Sequence, residues 1–135
     1  MGKLVNQLKK FWINVPNVSQ GTPDTPLFTI TGRYKAKVVK VTDGDTIHVV
    51  MMYNFRLCRF KVRLAGIDAP EMRGEEKKDG IISKIELCNV ILNEIVEIDC
   101  EGFDSFGRLL ATVYHDGFNV NKWLLEDDLA EVYSK

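Results

Sequence analysis

Five short stretches of this chain alternate apolar and polar residues with a period of two, and this pattern limits the possible folds more than any other feature. The stretches are centred near Ala36, Val49, Val62, Ile98 and Ala111. A period of two predicts β-strands that have one buried and one solvent-facing side. We therefore expect a chain that is mainly β, with a turn at Asp43-Gly44 between the first two strands.

Two other segments have the spacing of an amphipathic helix. The first follows the third strand, has Asp79 as a candidate N-cap, and carries apolar residues at Ile81, Ile85, Cys88 and Leu92. The second follows Asp116-Gly117 and runs towards Tyr133. The order of three strands, a helix, two strands and a helix predicts an α+β chain, mainly β, that forms a five-stranded Greek-key barrel of the OB-fold type with flanking helices.

The first 31 residues differ from the rest and are expected to form an N-terminal extension. Leu4, Leu8 and either Phe11 or Trp12 have helical spacing, and three prolines follow before residue 27. A helix this short is marginal by itself, so it would have to dock on another part of the protein. Residues 32–135 are predicted to form the barrel domain, because the whole chain of 135 residues has the length of one domain.

The net charge of −1 argues at first against a nucleic-acid partner, since such binders usually carry a basic surface. The charge is unevenly distributed along the chain, however. Residues 1–63 contain 11 Lys or Arg and three acids, a net charge of +8, whereas residues 64–135 have a net charge of −9. Such asymmetry indicates a polyanionic partner, and the alternative is that the two halves interleave in space and cancel.

Cysteine usage and hydropathy suggest an intracellular protein with no membrane partner. Cys58, Cys88 and Cys100 form an odd set without the spacing of a metal site, so we expect buried free thiols. The N-terminus has no apolar stretch long enough for a signal peptide, and no run reaches the roughly 18 apolar residues of a membrane span. A monomer is the default expectation.

Three polar clusters, at residues 43–46, 63–71 and 104–108, place charge where a barrel does not need it. Asp45 and Asp68 lie near predicted strand ends, and two carboxylates with a backbone carbonyl suit a hard cation such as Ca²⁺ or Mg²⁺. Arginine binds phosphate bidentately, so Arg63 and Arg108 are candidate phosphate ligands. Turn stabilisation and ordinary surface charge are the alternative explanations for each residue taken singly.

The combination of segments is more specific than its parts. In order and spacing, VTDGDT, VRLAGIDAPE, DSFGRLLATVY and NVNKWLLEDDLAEVY resemble the staphylococcal nuclease (thermonuclease) family over about residues 33–133. The resemblance implies that Asp45, Asp68 and the main-chain carbonyl of Ala69 bind Ca²⁺. It also implies that Arg63 and Arg108 bind the phosphate and that Glu71 activates the attacking water.

By the same resemblance, the expected function is that of a Ca²⁺-dependent, sugar-nonspecific endonuclease. Such an enzyme hydrolyses DNA and RNA, with single strands favoured, and leaves 3′-phosphorylated products. Asp43 resembles an acid beside the metal ligands, and Asn121 resembles a structural residue. The alternatives are a non-catalytic OB-fold module that binds nucleic acid and an OB domain with a protein-interaction or structural role. The joint presence of the two arginines and the acids favours the nuclease, because unpaired acids repel phosphate unless a metal intervenes.

The chain departs from the family pattern at three places. Ser105 and Phe106 replace a lysine and a tyrosine that hold a neighbouring phosphate in the family, which bears on substrate affinity more than on chemistry. Tyr133 alone remains of the aromatic residues near the end of the domain, and the family's final helix is missing. We hypothesise that the helix over residues 1–12 packs where that final helix would lie, and deletion of residues 1–17 would then lower the thermal stability.

Overall fold

The computed structural model describes residues 16–133, and most of them form strands. The long strands are β1 (Thr31–Asp43), β2 (Thr46–Tyr53), β3 (Arg56–Leu64), β5 (Ile95–Phe103) and β6 (Leu109–His115). The short strands are β4 (Ile67–Asp68), β7 (Phe118–Asn119) and β8 (Glu131–Val132). The α-helices are α1 (Lys77–Ile91) and α2 (Val120–Glu126), and short 3₁₀ helices span Val18–Gln20 and Gly74–Glu76.

The five long strands close into a barrel. Antiparallel neighbours follow the order β3-β2-β1-β5-β6, and a parallel pairing of β3 with β6 joins the two ends of this sheet. The pairing aligns Val62 with Leu109 and Leu64 with Ala111. Closure leaves no long unpaired edge at this seam, as in OB-fold barrels. The predicted α+β, mainly β, five-stranded barrel with flanking helices is confirmed.

The barrel core consists of the side chains that the alternation pointed inward. Val38, Val49, Val62, Ile98 and Ala111 are all completely buried. The regular pairing of β1 with β2 is interrupted twice, between Val38 and Lys40 and between Val41 and Asp43, and that of β5 with β6 once, between Cys100 and Gly102. An extra residue in one strand shifts the inward and outward positions beyond it. As a result Val41 is buried, and Lys40 lies exposed opposite His48 of β2.

The predicted buried face of the first helix is wrong at its first two positions, whereas Cys88 and Leu92 pack half-buried against the core. Ile81 and Ile85, which were expected to face the core, are 36% and 51% exposed, and α1 instead buries Gly80, Ser83, Leu87 and Ile91. The reason is steric, because small residues let this helix lie close to neighbouring backbone. Asp79 is not the cap either: the helix begins at Lys77, and Asp79 lies in its first turn.

The last helix is shorter than predicted. It ends at Glu126 instead of running towards Tyr133. Asp128 then has a left-handed backbone with φ of 56°, which turns the chain. The following residues form β8, which pairs with β4, and the Tyr133 N–H donates a hydrogen bond to the Gly66 carbonyl at 3.0 Å. This pairing carries the Tyr133 ring back to the barrel.

All three cysteines are free, as expected, with Cys100 buried and Cys58 and Cys88 only half-buried. Burial raises the pKa of Cys100 to about 11, so this thiol stays protonated at neutral pH. In residues 16–133 no helix has the length and apolar character needed to cross a membrane. The predicted helix over residues 1–12 lies outside the described residues, and the domain boundary near residue 31 stays a prediction.

Candidate active site

The β1–β2 turn begins the site and is held tightly against two other segments. The Asp45 N–H donates a hydrogen bond to Asp43 Oδ1 at 3.0 Å, which closes the turn. Gly44 occupies its middle, and a Cβ there would lie 2.8 Å from the Cβ atoms of both Ala69 and Ser83. Glycine is therefore required for this close approach, which fixes the turn against the Ala69 segment and α1.

Asp45 links this turn to a segment that is 24 residues away in sequence. Its side chain is buried and accepts hydrogen bonds from the Thr46 hydroxyl at 3.0 Å and from the Ala69 N–H at 2.8 Å. Its own carbonyl accepts a hydrogen bond from the Leu64 N–H at 2.8 Å. These bonds bring Asp45, Asp68 and Ala69 to one end of the barrel.

Arg63 lies between the two candidate metal-binding carboxylates. Its guanidinium is 3.3 Å from Asp68 Oδ1 and 3.6 Å from Asp45 Oδ2, and it donates a hydrogen bond to the Leu64 carbonyl at 3.0 Å. The Arg63 side chain is only 11% exposed, whereas that of Asp68 is 58% exposed. A guanidinium held by two hydrogen-bond acceptors and by an ion pair with Asp45 has a fixed direction, which suits it to orient a phosphate.

The acids of the turn repel one another. Burial raises the pKa of the Asp43 carboxyl to about 6, and the neighbouring Asp45 contributes to the same shift. Desolvation and a nearby like charge both disfavour the ionised form of a carboxylate. This end of the barrel therefore concentrates negative charge that a bound cation would neutralise.

The second arginine is positioned by a residue to which the sequence reasoning gave no role. Asp104 Oδ1 accepts hydrogen bonds from the N–H groups of Phe106 and Arg108, both at 2.9 Å, and Asp104 Oδ2 accepts from Arg108 Nε at 2.8 Å. Burial alone would raise the pKa of Asp104, but these bonds from Arg108 and Phe106 outweigh it and lower that pKa. The D-x-x-G-R pattern of a side-chain-capped turn was the signal available in the sequence.

Glu71 lies in the loop between β4 and α1, and a glycine fixes this loop. Its N–H donates a hydrogen bond to Glu76 Oε2 at 2.9 Å. Gly80 of α1 lies directly against the Glu71 carbonyl, so closely that a Cβ at Gly80 would collide with it. Sequence reasoning missed Gly80, because nothing in the local pattern distinguishes a glycine that close packing requires from a glycine that only weakens the helix.

All six predicted site residues line one open cleft of about 290 Å³. The cleft is lined by Asp43, Asp45, Arg63, Asp68, Ala69, Pro70, Glu71, Met72 and Arg108. They come from the β1–β2 turn, from β3, from β4 and the segment after it, and from the loop before β6, so closure of the barrel is what assembles them. The arrangement places two cations and four carboxylates around a space that admits a phosphodiester.

Comparison with known proteins gives the family. The model of the staphylococcal nuclease homologue family matches residues 61–135, more than half of the chain. The chain belongs to this family. The resemblance read from the motifs is thereby confirmed, and the match covers both arginines, Asp68 and Glu71.

Similar proteins carry nuclease names. An uncharacterized endonuclease of Haemophilus influenzae is 34% identical over 99 residues, which cover 73% of this chain and 52% of that protein. An uncharacterized endonuclease of Escherichia coli O157:H7 is 35% identical over 101 residues, 73% of this chain and 61% of that protein. A micrococcal nuclease of Shigella flexneri is 28% identical over 109 residues, 74% of this chain and 59% of that protein. The chain thus spans between half and two-thirds of the length of these relatives.

A second, more apolar pocket of about 210 Å³ adjoins the cleft in this nuclease-family chain. Arg63 and Arg108 line both spaces. The Tyr133 ring lies 5.7 Å from the Arg63 guanidinium, and the Phe106 ring lies 5.3 Å from that of Arg108. Phe106 is 81% exposed and offers a flat apolar surface without a hydroxyl.

The oxygen donors of the cleft fit a hard cation. Within the described residues no three His, Cys, Asp or Glu side chains converge as a metal site. The candidate ligands are instead two carboxylates, Asp45 and Asp68, and the carbonyl of Ala69, all of which line the same cleft. An oxygen-only set with few protein ligands suits Ca²⁺, which takes its remaining ligands from water or substrate.

Asn121 lies outside the cleft and ties the framework together. It is buried, accepts a hydrogen bond from the Val113 N–H at 3.0 Å, and donates to the carbonyls of Ala65 at 2.9 Å and Ala111 at 3.2 Å. These bonds connect α2 to β6 and to the segment after β3. The geometry is that of a structural residue, since every polar atom of the side chain is used within the protein.

Proposed function

We propose that this chain is a Ca²⁺-dependent, sugar-nonspecific endonuclease that hydrolyses DNA and RNA and leaves 3′-phosphorylated products. The observation that carries the proposal is the convergence of Arg63, Arg108, Glu71, Asp45 and Asp68 on one polar cleft. The nuclease names of the similar proteins support the reaction class.

The two arginines provide the phosphate site. Arg63 is held by the carboxylates of Asp45 and Asp68 and by the Leu64 carbonyl, and Arg108 is held by Asp104. Neither guanidinium therefore needs to reorganise when charge grows on the phosphate. Preorganised donors of this kind contribute a few kcal/mol to transition-state stabilisation. Asp45, Asp68 and the Ala69 carbonyl would hold Ca²⁺, which when bound supplies charge neutralisation for the phosphate and a position for the attacking water.

Glu71 is the residue that receives the proton of the attacking water. Among the described residues its carboxylate makes no hydrogen bond or salt bridge, although it lines the cleft. A general base must be able to approach the proton that it removes and must not be occupied by a protein partner. The loop that carries Glu71 is held by its backbone, through Glu76 and Gly80, which leaves the side chain free for this role.

We expect a preference for single strands, which the apolar pocket supports. An aromatic face such as Phe106 stacks on an unpaired base of any sequence, and a base in a duplex is not available for such stacking. The absence of a lysine at Ser105 and of a hydroxyl at Phe106 removes two phosphate donors that the family pattern supplies. We therefore expect weak binding of a terminal phosphate in this pocket.

The direct test is digestion of single-stranded DNA and RNA in the presence of Ca²⁺ and of EGTA. Wild-type protein should cleave both polymers with Ca²⁺ only, the product ends should carry 3′-phosphate, and Glu71→Ala and Arg63→Ala variants should be inactive. Equal inactivity of wild type and variants under all conditions would refute the nuclease. Retained binding in that case would favour the non-catalytic OB-fold module.

A further inference from the structure

The outer face of β1, β2 and β3 carries a concentration of positive charge outside the cleft. Strand register aligns Lys40 with His48 and His48 with Lys61 in one row across the sheet. A second row aligns Lys37 with Val50 and Val50 with Arg59. All four lysines and arginines in these rows are exposed, and the irregularity in β1 is what places Lys40 on this face. We call the set Lys37, Lys40, Arg59 and Lys61 the basic track.

This charge is not neutralised by the protein. In the described part of the chain no residue of the basic track forms a salt bridge, whereas Arg33, farther along β1, lies 3.4 Å from Glu97 of β5. The pKa of His48 reflects the positive charge around it. Partial burial lowers this pKa, and the charges of Lys40, Arg59 and Lys61 lower it further. These are the charged groups that face the imidazole from β1 and β3, and all of them are positive.

The basic track is continuous with the phosphate site. Alternation along β3 puts Arg59, Lys61 and Arg63 on one side of the strand, and Arg63 lines the cleft. Residues two apart in a strand are separated by about 6.6 Å, which is of the same order as the distance between neighbouring phosphates of an extended nucleic-acid strand. A strand whose scissile phosphate contacts Arg63 would thus pass over Lys61 and Arg59.

We propose that the basic track is a second binding surface, which holds the sugar-phosphate backbone of a nucleic-acid strand where it extends beyond the cleft. The proposal rests on the proposed function, because the cleft must hold a phosphodiester for the strand to continue in this direction. Contacts to phosphate are independent of base sequence and favour long substrates over short ones.

The test compares substrates of two lengths. Binding of a trinucleotide and of a single-stranded oligonucleotide of about 12 nucleotides is measured by fluorescence anisotropy in EGTA, with intactness checked on a gel. The double variant Arg59→Gln/Lys61→Gln should bind the longer strand roughly tenfold more weakly and lower the slope of log K against log salt by about 1.4. Its affinity for the trinucleotide should be unchanged.

The matched control removes two positive charges elsewhere. In Arg33→Gln/Lys122→Gln, both side chains are exposed and each has a carboxylate partner: Arg33 Nη1 lies 3.4 Å from Glu97 Oε2, and Lys122 Nζ lies 3.7 Å from Glu126 Oε1. This variant should bind both lengths as wild type does. Equal losses in the control and track variants, or wild-type binding that does not depend on length, would overturn the proposal.

The imidazole of His48 gives an independent readout. Addition of the longer oligonucleotide should raise the pKa of His48 in an NMR titration, because phosphates neutralise the surrounding cations. An unchanged His48 would count against the proposal. Binding to anionic phosphatidylserine vesicles that depends on Arg59 and Lys61, with unchanged oligonucleotide affinity, would assign the surface to a membrane and also overturn it.

Failure of this proposal is distinguishable from failure of the proposed function. Hydrolysis of the trinucleotide in Ca²⁺ depends on the cleft alone and should be the same for wild type and the track variant. If the protein hydrolyses its substrate but the track substitutions do not change the binding of longer strands, the proposal for the basic track is refuted and the proposed function is not. Length-dependent binding that needs Arg59 and Lys61, without hydrolysis, refutes the nuclease and supports the track.

Discussion

The polar cleft and the neighbouring apolar pocket share Arg63 and Arg108 but otherwise have different construction. The cleft is surrounded by four carboxylates, of which Asp43 and Asp45 are held in place by hydrogen bonds from the backbone and from Thr46. The pocket is lined by rings and aliphatic side chains, among them Phe106, which is largely exposed. The comparison suggests a division of labour in which the cleft supports chemistry and the pocket supports binding, so that substitutions in the two places should affect kcat and KM differently.

The largest effect is expected at Glu71. Replacing the general base with an amide, Glu71→Gln, keeps its size and should lower kcat by about 10² to 10⁴-fold with little change in KM. Steady-state kinetics on single-stranded DNA measure both constants. A higher KM with unchanged kcat would show that Glu71 contributes to substrate binding and not to the chemical step.

Arg63→Lys is expected to lower kcat by about 10² to 10³-fold, because lysine keeps the charge but loses the bidentate geometry that the guanidinium offers to phosphate. Unchanged circular dichroism and thermal unfolding would show that the barrel is intact. Activity within a few-fold of wild type would mean that Arg63 acts as a simple counter-charge for Asp45 and Asp68.

Phe106→Ala should affect binding instead. Loss of a stacking surface for an unpaired base should raise KM by roughly tenfold and leave kcat within about twofold. Phe118→Ala, which removes another exposed ring outside both spaces, is the control and should change neither constant. A fall in kcat for Phe106→Ala would erase the distinction between the two regions.

The smallest effect is expected from Asp104, which supports the arginine that both regions share. Its folded-state pKa is lowered, so its ionised form stabilises the protein above the ordinary value of 3.8 and loses this contribution as the pH falls through the folded-state value. Asp104→Asn should lower the free energy of unfolding by about 1 kcal/mol at pH 7. Urea titrations at several pH values should show this difference shrinking below pH about 4, and a constant difference would contradict the account.

The sequence predicted the barrel because closure buries one side of every long strand. Apolar residues on the buried side then alternate with polar residues on the other side, with a period of two. It failed on α1, since hydrophobicity selects Ile81 and Ile85, whereas the contact is made by Gly80 and Ser83, whose small size matters only once the neighbouring backbone is in place. The register shift in β1 between Val38 and Lys40 was missed for a similar reason, because nothing in the residues VVKV (38–41) shows where the pairing with β2 shifts.

The site divides in a similar way. Acids and arginines at strand ends are recognisable by their motifs, and the structure brings all six predicted residues to one cleft. Asp104 and Gly80 were missed because their contribution depends on what they contact, an arginine four residues later and a carbonyl nine residues earlier. Supporting residues of this kind acquire their role from tertiary geometry, which residue type alone does not specify.

The central claim is that the acids of the cleft are compatible with a polyanionic substrate because Ca²⁺ joins them. The most direct measurement is the affinity of the Glu71→Gln variant for a trinucleotide, which isolates the cleft, in EGTA and in Ca²⁺. The account predicts binding about tenfold or more tighter with Ca²⁺, and loss of this gain when Asp68→Asn is added. Equal affinity with and without Ca²⁺ would contradict it.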